Sequence, residues 1–419
     1  MHYQETSQSS KWQLASQNEL NSLRLAANKR AREWLAQSHE AAASDAADSA
    51  AEVTSQPPLL DVSGFASTKS SCTIHTSPID ESSPLYGPTV DSSNHPLLTP
   101  TDESLLLSFY ASKIPHLIGP HATIPRCIRQ PKVSATASLL FRRFYLSNSV
   151  MTFDPKALSV ASAFLAAKIE DVMMDIRYLE LATKEMNAPV TMDEILQAEI
   201  QLLKGVDYDL VMWHPYKTVL AVTEDLRVYL KSEKGRRYAT TFAIDGEKDG
   251  EQKEQRLVSG EDLRPMHDAA MKICDDVIVS DLPLLYGPGE VGLAALMVAN
   301  DDICSSNNVV SSVSADGEET APSAKHPTKI DIIGYIQSRF QDTSNSNESV
   351  KIDSNAIETI VTRVMSVGDK IRELREGKHG CGNYNVDMEA LKGVHKKLKK
   401  CRAWGLEKKK KKKRKVEDV

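Results

Sequence analysis

Two charged side chains lie within helical patterns that are otherwise apolar, and both could form strong hydrogen bonds with a binding partner. Lys168 follows Phe164 at helical spacing near the end of an apolar segment, and Glu199 lies between Ile195 and Leu203 on an apolar stripe. A buried charge is costly unless it is paired and hydrogen-bonded. Two interpretations remain open. Either the residues mark a partly exposed helix end and the edge of a stripe, or they face one another and offer polar groups to a partner's backbone.

Two of the helices that would position this pair are predicted from apolar spacing and capping signals. In the first, the apolar residues recur at helical spacing: Val133, Ala137, Leu140, Phe141 and Phe144. We expect Arg142 and Arg143 to point away from this apolar face. Asp154 and Pro155 are typical of an N-cap and a first helical position. The helix that follows, 157–168, is apolar nearly all round, so we expect it to be central and buried.

A third helix carries Glu199. Thr191 and Glu194 form a capping-box pattern at its start. Its predicted apolar stripe consists of Ile195, Leu196, Ala198, Leu202, Leu203 and Val206. Further helices over 101–114 and 177–186 would complete a five-helix domain.

Composition restricts the class of protein. The chain has 419 residues, of which 41% are hydrophobic and 26% charged, which is typical of a globular protein. No apolar run reaches the length of a membrane-spanning helix, and the first residues lack the apolar core of a signal peptide. The six cysteines are widely spaced and form no disulfide framework, as expected in a reducing compartment. The overall charge of −6 includes eight positive charges over 408–415, so the rest of the chain is acidic and direct nucleic-acid binding is not expected.

Composition and pattern divide the chain into five parts. We predict an N-terminal helix within residues 1–37, ending near Leu35, and a disordered insertion rich in Ser, Thr, Pro and Ala over 38–98. Two helical domains follow over 99–211 and 212–376, the second with polar insertions near 232–261 and 305–329. A C-terminal helix and a basic tail occupy 377–419.

The two helical domains are predicted to be repeats of one another. The segment that begins at Pro155 aligns with the segment that begins at Pro288, and both are rich in small apolar residues. This alignment places Asp301 at the position of Lys168. The second repeat therefore lacks the lysine, and any contact made through the Lys168–Glu199 pair is expected from the first repeat alone.

The motifs of the first domain resemble those of a known family. The segments FRRFYLSNSVMTFDP and FLAAKIED, and the stretch from Glu199 to Leu210, resemble a cyclin box and, within the cyclin family, look closest to the cyclin H group. The segment WQLASQNELNSLRLAANKRAREW is similar to the N-terminal helix of that group. The resemblance implies an all-α fold of two tandem five-helix cyclin boxes with extra N-terminal and C-terminal helices.

The resemblance also implies a function. Such a chain would be a non-catalytic subunit, without a cofactor, that binds and allosterically activates a cyclin-dependent kinase of the CDK-activating type. Lys168 and Glu199 would contact the kinase's regulatory helix. The apolar neighbours and auxiliary contacts would be Leu203, Tyr208, Leu210, Leu20, Leu23 and Trp34. Further implied partners are an assembly factor and transcription factor IIH, linking cell-cycle kinase activation to transcription by RNA polymerase II.

The basic run at the C-terminus has a separate interpretation. A cluster of this kind is typical of a nuclear import signal or of a contact with a polyanion. The residues of the import pattern are Lys410, Lys411, Lys412, Lys413, Arg414 and Lys415. We favour import, and hence a nuclear protein.

Three alternatives were weighed. The chain could be another transcriptional cyclin, of the C, K or T type. More remotely, the glycines over 287–292 could bind a nucleotide in an oxidoreductase, although Pro283 would break the preceding strand and no acidic residue lies at the required distance. The four residues of a possible metal cluster, which match no compact ligand spacing, are His379, Cys381, His395 and Cys401.

Overall fold

We describe the protein from a computed structural model. It describes residues 3–43, 97–241, 258–310, 328–346, 354–377 and 388–417, and within these ranges a few residues by their backbone alone. The chain forms two compact units. Unit 1 comprises residues 1–212, 279–285 and 381–419, and unit 2 comprises residues 213–278 and 286–380. No helix in the described ranges is both long and apolar enough to cross a membrane.

Unit 1 is built around a set of five consecutive helices. These are α2 (Pro100–Ile118), α3 (Pro131–Ser147), α4 (Pro155–Ile169), α5 (Ile176–Glu185) and α6 (Met192–Gly205). The N-terminal helix α1 (Gln17–Ala43) and the C-terminal helix α13 (Met388–Glu417) pack against this set. Short 3-10 and π-helical turns occupy Tyr3–Glu5 and Gln8–Trp12, a 3-10 turn spans Pro125–Cys127, and the one-turn helix α9 spans Leu282–Leu285.

Unit 2 repeats the five-helix order. Its helices are α7 (Tyr216–Tyr229), α8 (Gly260–Ile278), α10 (Pro288–Val310), α11 (Ile332–Ser346) and α12 (Ser354–Arg375). A 3-10 turn, Arg236–Tyr238, precedes strand β1 (Ala239–Thr241), which pairs antiparallel with β2 (Thr328–Ile330). This small ribbon was not predicted. Both strands lie within or at the edges of segments predicted to be polar insertions.

The predicted capping signals are confirmed at the starts of α4 and α6, and α2 begins with a capping box as well. The Thr99 and Thr191 hydroxyls accept hydrogen bonds from the backbone N–H groups of Asp102 and Glu194, and both capping boxes are complete. The Asp154 carboxylate accepts from the N–H of Lys156 at the start of α4. α4 is buried along most of its length, as expected from its apolar composition.

Two predicted helix ends are wrong. α1 continues to Ala43 instead of ending near Leu35, and α13 continues to Glu417, through the segment predicted to be a basic tail. Both extensions are rich in Ala or Lys, which favour helix, and neither contains a proline. Most of the predicted insertion, residues 44–96, lies outside the described residues.

Arg142 and Arg143, which were predicted to point away from the apolar face of α3, are nevertheless buried within unit 1. Arg142 donates hydrogen bonds to the Val279 carbonyl and forms an ion pair with Asp281. Arg143 lies over the Trp12 ring, 5.2 Å from its centroid, and donates to the Val211 carbonyl. Arg142 is therefore paired with an anion that is distant in the chain, whereas the contacts of Arg143 are an aromatic ring and a carbonyl group.

A buried carboxyl group lies where α1 meets α2. Glu103, in the first turn of α2, hydrogen-bonds to the Ser149 hydroxyl. Across from it on α1, Asn28 and Arg32 both donate to the Leu98 carbonyl. Burial raises the pKa of Glu103 to about 7, against the smaller lowering effect of the Ser149 bond and of nearby charges.

This raised pKa predicts a pH-dependent stability. The pKa of Glu103 is higher in the folded protein than in the unfolded chain. The contribution of its protonated form to stability is therefore fully present at pH values below the unfolded pKa, and it is lost as the pH rises through about 7. Relative to wild type, Glu103→Gln should therefore gain stability between about pH 5 and about pH 8, by on the order of 2–3 kcal/mol. Urea unfolding at several pH values tests this. The exposed control Glu185→Gln should follow wild type, and a parallel profile for Glu103→Gln would contradict the prediction.

Candidate partner-binding site

Lys168 lies in the last turn of α4, where the buried helix reaches the surface. A cation is favourable at this end of a helix because of the helix dipole. Its side chain is 51% exposed, and its Nζ lies 4.1 Å from the centroid of the Phe164 ring, one turn earlier. The ring supports the aliphatic part of the lysine and attracts its charge, so the ammonium is held at the surface.

Glu199 faces Lys168 from the neighbouring helix α6. Its side chain is only 9% exposed, and its Oε1 lies 2.6 Å from Lys168 Nζ. The structure thus combines the two interpretations: Lys168 lies at a partly exposed helix end, and the two residues face one another. An ammonium has three donors. The group that binds Glu199 therefore has the chemistry to donate to carbonyl groups of a partner as well.

Apolar side chains flank the pair on α6. Ile195, Ala198 and Leu202 are buried as predicted. Leu196, placed in the buried stripe by the sequence analysis, is exposed, and so is Ile200 one turn later. The two lie four residues apart, on a helix face separate from the buried stripe.

Ile200 was not among the residues predicted to contact a partner. The signal that could have identified it is the apolar pair at positions i and i+4 on either side of Glu199. Exposed apolar groups beside a charged pair are typical of a surface that binds a partner.

The loop after α6 carries the remaining predicted residues of this region. Asp207 and Tyr208 both have φ of 54°, a left-handed conformation that non-glycine residues rarely adopt. Tyr208 is 63% exposed, while Leu203 and Leu210 are half-buried. The loop therefore presents one aromatic side chain to solvent from a backbone that must be held in place.

The N-terminal segment holds this loop. The Asp209 carboxylate accepts hydrogen bonds from the Ser7 hydroxyl and from the Trp12 indole, each at 2.7 Å. Lys11 Nζ lies 2.8 Å from Asp207 Oδ2. We call residues 3–14 the N-terminal strap. Burial lowers the pKa of Arg143, which lies over the Trp12 ring, to about 10, although the charge of Asp209 acts in the opposite direction.

The other predicted contacts lie on α1 and α13. Leu20 is fully buried in unit 1, whereas Leu23 and Trp34 are half-buried. Leu20 is thus placed to support the surface from within. The basic residues 410–415 continue helix α13, and the structure describes them by their backbone alone.

The remaining candidate sites have structural explanations. The segment before the glycines at 287–292 forms helix α9, not the strand that a dinucleotide site requires. A Cβ at Gly292 would lie 2.7 Å from Thr218, so this glycine permits close packing of α10 on α7. His395 Nε2 lies 3.0 Å from the Tyr110 hydroxyl, while His379 and Cys381 lie outside the described residues.

The lysine–glutamate pair lies between the third and fifth helices of the first five-helix repeat, and this repeat is the part of the chain that a family model matches. Residues 127–211 match the family model described as "Cyclin, N-terminal domain". This match extends from the turn before α3 to the loop after α6 and includes both Lys168 and Glu199.

Individual relatives extend this result. The chain is 27% identical over 210 residues to cyclin mcs2 of Schizosaccharomyces pombe, covering 50% of this chain and 54% of that protein. It is 27% identical over 205 residues to cyclin-H1-1 of Arabidopsis thaliana, covering 48% of this chain and 50% of that protein. The chain thus spans about half the length of these curated relatives.

A solved structure supports the fold. The chain is similar to a chain of the CAK complex of Chaetomium thermophilum bound to ATP-gamma-S, with a TM-score of 0.57 and 19% sequence identity. The similarity covers 96% of this chain and 88% of that chain.

Proposed function

We propose that this chain is a cyclin H-like, non-catalytic subunit that binds and activates a cyclin-dependent kinase of the CDK-activating type. The observation that carries the proposal is the Lys168–Glu199 pair at the surface of the cyclin N-terminal domain, with a half-exposed ammonium held by a buried carboxylate. The similarity to cyclins of the H group supports the choice among cyclins.

The proposed mechanism is allosteric. The kinase's regulatory helix region would dock on α4 and α6. Its backbone carbonyls would accept hydrogen bonds from Lys168, and its apolar side chains would pack on Leu196 and Ile200. Docking would fix that helix in the orientation that completes the kinase's own Lys–Glu ion pair, which positions ATP. The activation obtained equals the difference in affinity of this surface for the active and inactive kinase. Leu203, Tyr208 and Leu210 would extend the contact, with Leu23 and Trp34 as auxiliary contacts and Leu20 supporting them from the core.

The proposal includes a setting. Together with an assembly factor, this chain and its kinase would form the kinase module of transcription factor IIH. The module would link activation of cell-cycle kinases to phosphorylation of the RNA polymerase II tail. The basic residues 410–415 would direct the chain to the nucleus, where those substrates are found.

Reversal of the exposed charge tests the proposal. The full chain is co-purified with each of a panel of cyclin-dependent kinases, and kinase activity is assayed. We expect selection of the CDK-activating kinase, and we expect Lys168→Glu to weaken activation about a hundredfold, because a carboxylate would then face the carbonyls of the docked helix.

Two controls separate loss of contact from loss of fold. Lys184→Glu reverses an exposed lysine on α5 and should leave activation unchanged. Lys168→Glu/Glu199→Lys restores an ion pair and should fold normally, but it should remain inactive because the donor then occupies the buried position. Full activation by Lys168→Glu would refute the proposed contact, and selection of a different kinase would refute the cyclin H assignment.

A further inference from the structure

Unit 2 contains a second charged pair at the position that corresponds to Lys168 and Glu199, with the charges exchanged. Asp301 lies as far along α10 from Pro288 as Lys168 lies along α4 from Pro155. Its carboxylate Oδ2 is 2.8 Å from Arg372 Nη2 on α12. In both units the pair therefore joins the third and the fifth helix of the repeat, but the acidic member comes from the third helix in unit 2.

The surroundings of this second pair differ from those of the first. Met297 occupies the position of Phe164, and it lines a cleft of about 450 Å³ together with Ile332 and Met365. A Cβ at Gly368 would lie 2.3 Å from the Met297 methyl group, so the glycine provides the space that this methyl group occupies. The first pair is flanked by apolar residues on an open helix face, whereas the second belongs to the lining of a cleft that also contains apolar side chains.

The charges that line the cleft are predominantly acidic. Arg372 is bound by two carboxylates, those of Asp301 at 2.8 Å and Asp369 at 3.0 Å. Asp331 adds a third carboxylate to the lining, and Lys329 is the other cation. Because Arg372 is already shared between two acids, a basic group of an incoming ligand would be attracted here and an acidic one repelled.

We propose that this cleft is a second docking site, for a polypeptide segment that inserts one large apolar side chain beside a basic residue. The volume suits one such side chain, and the charged part of the lining suits flanking residues of a peptide. The Lys168 ammonium selects a segment with free backbone acceptors, whereas the cleft of unit 2 selects a large apolar side chain next to a basic one. The occupant is therefore a partner segment other than the one that docks on unit 1.

Peptide selection tests this site without reference to kinase activation. The full chain is used as bait for a library of random 12-residue peptides, and the enriched sequences are compared among variants. Wild type should enrich peptides with an aromatic or large aliphatic residue next to Lys or Arg. The exchanged pair Asp301→Arg/Arg372→Asp keeps the ion pair but moves the cation to α10. It should bind the wild-type peptides about tenfold more weakly and change where the basic residue lies relative to the apolar one in the enriched peptides, because the charges change position and not number.

Methionine methyl NMR places the bound peptide. With ¹³C-methyl methionine in the full chain, the signals of Met297 and Met365, assigned with Met→Leu variants, should shift on titration with an enriched peptide. Met365→Glu should abolish that shift. The proposal is overturned if no peptide perturbs these two methyl groups, if the exchanged pair enriches the same motif as wild type, or if a peptide of the kinase's regulatory segment competes for the cleft.

Discussion

Asp281→Ala is expected to lower the free energy of unfolding by about 3–5 kcal/mol, because it leaves two buried guanidinium groups without their anion. The Asp281 side chain is 3% exposed. It receives a bidentate ion pair from Arg24 on α1, with distances of 2.8 and 2.7 Å, and a further ion pair from Arg142 on α3. Burial alone would raise the pKa of Asp281, but the charges of Arg142 and Arg24 outweigh it and hold the pKa below its ordinary value.

The expected loss is large because both guanidinium groups are buried where they meet Asp281. Arg142 also donates to the Val279 carbonyl, so this side chain is held in place and cannot reach solvent without breaking a second contact. Arg24 is largely buried as well. The one carboxylate thus joins α1, α3 and the segment 279–285 within unit 1.

Two variants make the prediction specific. Asp342→Ala removes the acid of a more exposed pair with Lys234 and should cost less than about 1 kcal/mol. The triple variant Arg24→Met/Arg142→Met/Asp281→Leu replaces all three charges by apolar groups and should recover most of the loss. Urea unfolding measures all of them. An Asp281→Ala cost no greater than that of Asp342→Ala would contradict the role assigned to the triad.

The same triad predicts an acid limit of stability. Because the pKa of Asp281 is lower in the folded protein than in the unfolded chain, its carboxylate stabilises the fold at pH values above the unfolded pKa. This stabilisation is lost as the pH falls through the folded pKa. Because the triple variant lacks this carboxyl group, wild type should lose stability relative to the triple variant under strongly acidic conditions.

Local patterns were sufficient for the helices and for the charged pair. Thr99, Asp154 and Thr191 mark helix starts through bonds to residues two or three positions away, so a short window of sequence contains the whole interaction. Lys168 and Glu199 were identifiable because each is a charge within an apolar stripe.

Long-range pairing explains what could not be predicted. Arg142 and Arg143 appear on the sequence as the polar face of an amphipathic helix, and their burial depends on Asp281 and Trp12, each more than a hundred residues away. Leu196 looks like a core residue by type, and only the packing of α6 shows that it faces outward. The contact between the N-terminal strap and the loop after α6 could not be predicted either, because Asp209 is distant from the strap in the chain.

Trp12→Ala is expected to detach the N-terminal strap from the loop after α6. The Trp12 side chain is 2% exposed, and removal of a buried tryptophan costs about 3–5 kcal/mol. The indole donates to Asp209 and lies under the guanidinium of Arg143, so both charges lose a partner at once. A cost of this size exceeds what the remaining contacts of a short terminal segment supply. We therefore expect local release of the strap without loss of the five-helix core.

Hydrogen exchange identifies such a release. In Trp12→Ala, backbone amides of the strap and of residues 207–211 should exchange much faster, while those of α3 and α4 remain protected. Trp12→Phe keeps an aromatic ring beneath Arg143 but loses the N–H donor and part of the indole. It should show a smaller effect than Trp12→Ala, because more of the buried aromatic surface is retained.

The release should also affect partner binding through Tyr208. Its left-handed backbone conformation is costly for a non-glycine residue and persists only while surrounding contacts hold it. Under the proposed function, Trp12→Ala should weaken kinase activation because the loop that carries Tyr208 is released. Lys168→Glu weakens it by a different route, the loss of the donor in the Lys168–Glu199 pair. Tyr208→Ala in the wild-type chain provides the comparison: if the loop is the route, adding Trp12→Ala to Tyr208→Ala should cause little further loss. Additive losses would show instead that the strap acts elsewhere.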